Sequence, residues 1–126
     1  MKKVLIIALA AALFSCGKEN KKGGDETVGE APATPVDIGK DIFEGKGNCT
    51  ACHLTDKSSI GPSITAVANA YKDKKGALAA FLNEEGEPIV EPEKYAVMKT
   101  NFAITKAMTP EERQALEAYV LTYAQK

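Results

Sequence analysis

Apolar positions along this chain follow two regimes. Near the N-terminus they run unbroken from Val4 to Phe14, behind a basic start of Met1, Lys2 and Lys3. From residue 37 onward they recur at spacings of three and four, the period of a helix with one buried face. Ile38 and Ile42, with Gly39 and Phe43 beside them, predict a first helix over Ile38 to Glu44 with one apolar or small side. Asp37 is its expected N-cap, and Gly45 and Gly47 end it. Ile64, Val67, Ala68 and Tyr71 predict a second helix over Ser63 to Tyr71. Leu78, Phe81 and Leu82 face inward from a third, over about Lys75 to Asn83. Pro92 and Glu93 open a brief helix through Tyr95, Val97 and Met98, and N-F-A-I-T-K after it reads as an extended loop. The last helix carries the strongest start signal. Thr109-Pro110-Glu111-Glu112 combines an N-cap, proline at the first helical position and glutamate at the third. Leu116, Tyr119, Val120 and Tyr123 then repeat at three and four. Nothing reads as a pair of strands. The predicted class is all-α, with short helices wrapped around something other than themselves.

Between the two regimes, residues 18 to 36 are dominated by Gly, Pro and charge, with no apolar period. Such a segment cannot bury enough surface to offset its ordering entropy and reads as a flexible tether. The apolar run before it is short for a bilayer span but suits the core of a signal peptide. L-F-S-C-G at its end resembles a bacterial lipobox, which makes Cys16 the expected lipidated first residue of the mature protein. The division is therefore a lipoprotein signal peptide over 1–15, a membrane tether over 16–36 and a folded domain over 37–126. That places a lipid-anchored protein in the bacterial cell envelope, its domain in the periplasm.

Composition narrows the partners. Sixteen Lys+Arg stand against seventeen Asp+Glu, so no strong positive charge argues for nucleic acid. Tryptophan is absent and aromatics are few, which leaves the domain a thin apolar core. A large flat apolar group buried among the helices would supply what the side chains lack.

The run C-T-A-C-H, Cys49 to His53, names such a group. Two thiols three positions apart can each form a thioether to a porphyrin vinyl group, and the adjacent imidazole can reach the iron, so CxxCH reads as attachment of a c-type haem. His53 is the only histidine, so a second axial ligand must come from another residue type. Met98 and Met108 are the candidates outside the signal peptide. Met98 stands ahead of a loop with room to approach a haem face; Met108 stands where a residue commonly packs back on the first turn of the last helix. Asn101, just past Met98, is a candidate donor to the methionine sulfur or a haem propionate. Tyr71 and Tyr95 are candidates for propionate contacts or haem-edge packing. Lys46, Lys57 and Lys99 read as a local basic rim, and Glu84 to Glu93 as an acidic patch.

Further residues carry a family resemblance. G-K-D-I-F supplies Gly39 and Phe43, L-E-A-Y-V supplies Leu116 and Tyr119, and Gly61-Pro62 follows His53 in G-P-S-I. With C-T-A-C-H, these make residues 37–126 similar to a class I, mono-haem cytochrome c in its bacterial lipoprotein form. The resemblance implies a small bundle in which the first and last helices cross at Gly39, around one covalent haem c. It implies that the Pro62 carbonyl accepts a hydrogen bond from the His53 ring, and that Met98 is the sixth ligand, although the frequent Met-Pro pair is absent because Lys99 follows. Such His/Met ligation fills the iron's coordination and suits one-electron transfer by a carrier that is not an enzyme. The implied partners dock transiently: a quinol-oxidising complex as donor and a terminal oxidase or reductase as acceptor. The alternatives are a gas sensor or small peroxidase-type domain with a labile sixth ligand, and a donor module held stably in a larger enzyme complex.

Overall fold

Thr34 starts the first helix, three residues ahead of the expected cap. The computed structural model describes residues 32–126; Cys16, the signal peptide and most of the tether lie outside the described residues. Helix α1 spans Pro35–Glu44. The Thr34 hydroxyl accepts the Asp37 N–H at 3.2 Å, and the Asp37 carboxylate accepts the Thr34 N–H at 2.9 Å. Asp37 is thus the third helical residue of a capping box and not the N-cap, and the helix takes in Pro35 and Val36 from the segment assigned to the tether. The physical reason is legible afterwards: T-P-V-D at 34–37 has the same capping chemistry as T-P-E-E at 109–112, where the box also forms.

Helix α1 packs on the C-terminal helix, and the glycine sets how closely. A Cβ at Gly39 would lie 2.0 Å from the Ala115 carbonyl oxygen and 2.8 Å from the Tyr119 Cβ, so only hydrogen fits there. Phe43 and Tyr119 fill the flank, ring centroids 5.4 Å apart. Gly39, Ile42 and Phe43 form the buried stripe. Ile38, expected in it, is 42% exposed. At about 100° per residue it lies roughly 90° round from the centre of that stripe.

Four further α-helices lie between these two in sequence. Helix α2, Ile64–Tyr71, is capped by Ser63, whose hydroxyl accepts the Ala66 N–H at 3.1 Å. Helix α3, Ala77–Leu82, begins at Gly76, which has no side chain to cap it. A three-residue 3-10 turn at Pro92–Lys94 leads into α4, Tyr95–Met98. A second such turn, Lys99–Asn101, leads into α5, Phe102–Thr105. The segment N-F-A-I-T-K is therefore largely helical, contrary to the extended loop expected. It holds neither Gly nor Pro, and Phe102 and Thr105, one turn apart, bury together. Helix α6 spans Pro110–Leu121. Among the described residues every element is helical, and the fold is all-α.

Two buried charges on α6 hold the shorter helices in place. Glu117, 5% exposed, accepts the N–H of Gly76 at 2.6 Å and of Ala79 at 2.8 Å. It caps α3 from across the core, where the negative charge meets the positive end of the helix. Arg113, 8% exposed and one turn earlier, donates to the carbonyls of Thr105, at 3.2 Å, and Met108. It satisfies the chain where α5 ends. Phe81, Tyr95 and Phe102 then meet edge to face or tilted at 5.5 to 6.1 Å, joining α3, α4 and α5.

Candidate functional site

The loop after α1 is shaped by its glycines. The Gly47 N–H donates to the Ile42 carbonyl at 2.8 Å, and a Cβ there would meet that oxygen at 2.7 Å. Asn48 takes a left-handed conformation, φ 53°, and the chain then enters a 3-10 turn at Cys49–Ala51. The N–H groups of Cys52 and His53 both donate to the Cys49 carbonyl, at 3.1 and 3.0 Å, which winds the two thiols and the imidazole around one turn. Burial pushes the Cys49 thiol up to about 11, so it is held neutral.

His53 is fixed from two sides. Its Nδ1 lies 2.8 Å from the Pro62 carbonyl oxygen. A carbonyl only accepts, so Nδ1 is the donor, and in the neutral imidazole this tautomer puts the lone pair on Nε2. Gly61 lies flat against the ring: a Cβ there would sit 2.7 Å from Cε1. The Gly61 N–H donates to the Cys52 carbonyl at 2.9 Å, tying the Gly-Pro segment back to the thiol loop.

These residues open onto a cleft of about 1120 Å³, counting the part open to solvent. Cys49, Cys52, His53 and Pro62 line it on the loop side, and Leu78, Phe81 and Leu82 from α3. Leu116 and Val120 of α6 form part of its floor, and Met98 with Val97 lines it from α4. Met108 does not line it: the side chain is 6% exposed in the packed core. Tyr71 and Tyr95 both reach the cleft. Asn101 lines it too, but its amide donates to the Gly47 carbonyl at 3.1 Å, joining the segment after Met98 to the thiol loop.

The charges differ from those expected. Lys46, Lys57 and Lys99 do not line the cleft; Lys46 pairs with Glu112, and Lys99 stands 4.0 Å from Glu84. The cleft lysine is Lys94, paired with Glu91 at 2.7 Å and bonded to Ser58. Within the acidic patch, Glu84 and Glu91 are both neutralised by lysines. No spacing rule links Ser58 to residues more than thirty positions on, so the sequence held no signal for this cluster. The same holds for Glu117, whose partners Gly76 and Ala79 lie 41 and 38 positions away.

The residues suit a large, flat, apolar group. The lining is mainly apolar, two thiols stand beside an imidazole with a free nitrogen, and a thioether shares the space. A covalent haem is such a group, held by the pair of thiols and by nitrogen and sulfur donors. Among curated proteins none matches the chain. A family model described as cytochrome c matches residues 36–124. The match takes in both crossing helices, the thiol turn and the cleft between them, and the chain belongs to the cytochrome c family, whose members carry electrons on covalently bound c-type haem.

Proposed function

We propose that the protein is a mono-haem, membrane-tethered electron carrier with His/Met ligation. Cys49 and Cys52 would hold the haem through two thioethers, and His53 Nε2 and the Met98 sulfur would hold its iron. When bound, the haem would supply a one-electron couple at iron, and a soft thioether ligand would favour its reduced state. The Pro62 carbonyl holds the imidazole in one tautomer and one plane, which strengthens donation from Nε2. The apolar side chains of α3 and α6 that line the cleft would exclude water from a bound haem. Cys16 carries the lipid anchor, and the tether lets the domain in the periplasm meet a quinol-oxidising donor and a terminal oxidase or reductase in turn.

The observation that carries this reading is the bond between His53 Nδ1 and Pro62, because it leaves one nitrogen free on the only histidine of the chain. Met98 is favoured over Met108 because it lines the cleft and Met108 does not. The test is a pair of spectra. Oxidised wild-type protein should show the weak near-infrared band of a thioether–iron bond. Met98→Ala should lose it and bind carbon monoxide when reduced; Met108→Ala should keep it. The reverse pattern would overturn the ligand assignment. Intact mass of membrane-extracted protein should give one haem and a diacylglycerol-modified N-terminus at Cys16. A protein that is fully soluble on cell breakage would sink the anchor.

A further inference from the structure

One edge of the cleft is joined by polar side chains. Lys94 ends the 3-10 turn that leads into α4 and Met98, and its ammonium pairs with Glu91 at 2.7 Å. It also reaches the segment after the thiol loop, donating to the Ser58 hydroxyl and, at 2.9 Å, to the Ser59 carbonyl. The Ser58 hydroxyl donates in turn to the Glu91 carboxylate at 2.8 Å. From there the links run straight to the ligand loop. The Ser59 hydroxyl donates to the Cys52 carbonyl at 2.8 Å, the Ser59 N–H donates to the Gly61 carbonyl at 2.9 Å, and Gly61 lies against the His53 ring. The backbone at Glu91 adds an independent observation. Its φ of 42° is left-handed, and Pro92 follows. A side-chain-bearing residue rarely adopts that conformation, and a residue before proline is steered away from helical values altogether. Its own sequence does not favour that conformation; the surrounding bonds hold it there, as in strained segments at functional sites.

We infer that Ser58, Glu91 and Lys94 form a clasp that sets how readily Met98 leaves the iron. The inference rests on the proposed Met98 ligation. Lys94 immediately precedes Tyr95, so the clasp holds the start of α4, which buries no residue of its own and is otherwise held by the packing of Tyr95 on Phe81 and Phe102. An isolated pair at this exposure would contribute little. Here several bonds converge on one hinge, and once they break, Glu91 is free to return to ordinary backbone. The clasp residues position the ligand-bearing segment; they do not touch the iron.

Cyanide association with the ferric holoprotein is the test, because cyanide binds only after the methionine has left. Ser58→Ala, Glu91→Gln and Lys94→Met should each raise the observed rate, by about two- to tenfold for a network of this exposure. The double variant Ser58→Ala/Lys94→Met should be no faster than the faster single, as residues of one network are not additive. Lys94→Arg should restore much of the wild-type rate. All variants should keep the near-infrared sulfur band and a melting temperature close to wild type. Unchanged cyanide rates in variants that keep the band would overturn the inference while leaving Met98 in place. So would acceleration by Lys94→Met alone, which would mark Lys94 as a lone charge near the iron. A wild-type protein with no sulfur band and immediate cyanide binding would instead remove the Met98 reading, and the clasp with it.

Discussion

The crossing of α1 and α6 and the wall from Pro88 to Thr105 are held by different means. At the crossing, backbone meets backbone over Gly39, and six residues of α6 are buried along one helix of three turns. Both helices start with a full capping box. In the wall, α4 and α5 are four residues each, α4 buries nothing, and the links are a cluster of rings, the Arg113 guanidinium and the polar contacts of Lys94. Helices that short do not persist on propensity alone. One region is self-supporting; the other depends on side chains that reach in from elsewhere and on the group it encloses. A domain with few aromatics and no tryptophan can hold a ligand this way: a close helix crossing carries the fold, and a lightly built wall lines the cleft with Met98.

The sharpest way to break the comparison is Gly39→Ala. With the Ala115 carbonyl 2.0 Å from the added carbon, the helices must separate, and the loss should exceed the ordinary ~1–3 kcal/mol of overpacking. Thermal melting should show the whole domain destabilised, haem environment included. Met108→Ala removes a buried core side chain and should cost about 2–5 kcal/mol in denaturant titrations. Met98→Ala, half-buried in the wall, should cost less stability and change the spectrum far more. If the two methionine variants lose equal stability, the division between crossing and wall fails. Glu117→Ala strips two backbone N–H groups of their partner and should cost about 1–3 kcal/mol. Hydrogen exchange should then rise at Gly76 to Ala79 and stay low in α1. The smallest effect is acid sensitivity. Hydrogen bonds from Thr34 and from Lys46 hold Asp37 and Glu112 below the usual carboxylate range. The unfolded chain therefore takes up protons first, so their stabilisation is present above the ordinary carboxylate pKa and is lost as pH falls through the lowered folded values. Asp37→Asn with Glu112→Gln should flatten the acid limb of a stability–pH curve without moving the sulfur band.

What the sequence disclosed was local in spacing. C-T-A-C-H, the T-P-E-E start of α6 and the Gly39/Phe43 spacing each lie within a few residues, where chemistry and helical period act directly. Thr34 was missed because the Gly- and Pro-rich composition before it hid a capping box of the kind read correctly at Thr109. N-F-A-I-T-K was misread because its order comes from burial of Phe102 and Thr105 and from Arg113, contacts that periodicity over six residues cannot show. The family resemblance pointed to Pro62, and the structure adds why Gly61 precedes it: the ring of His53 occupies the space of a side chain. Ser58, Glu91, Lys94 and Glu117 were beyond reach because each acts on a segment more than thirty positions away.

The Gly39–Ala115 contact joins positions near the two ends of the domain, so the molecule closes like a ring whose last link is made at its C-terminus. Bringing such distant segments together costs loop entropy that only the finished contact returns. Until α6 is present, the buried stripe of α1 lacks the surface it covers at the crossing. Once α6 docks, Cys49 is packed beside the core and its thiol is a poor nucleophile. The α1–α6 contact therefore closes nearly the whole domain in one step.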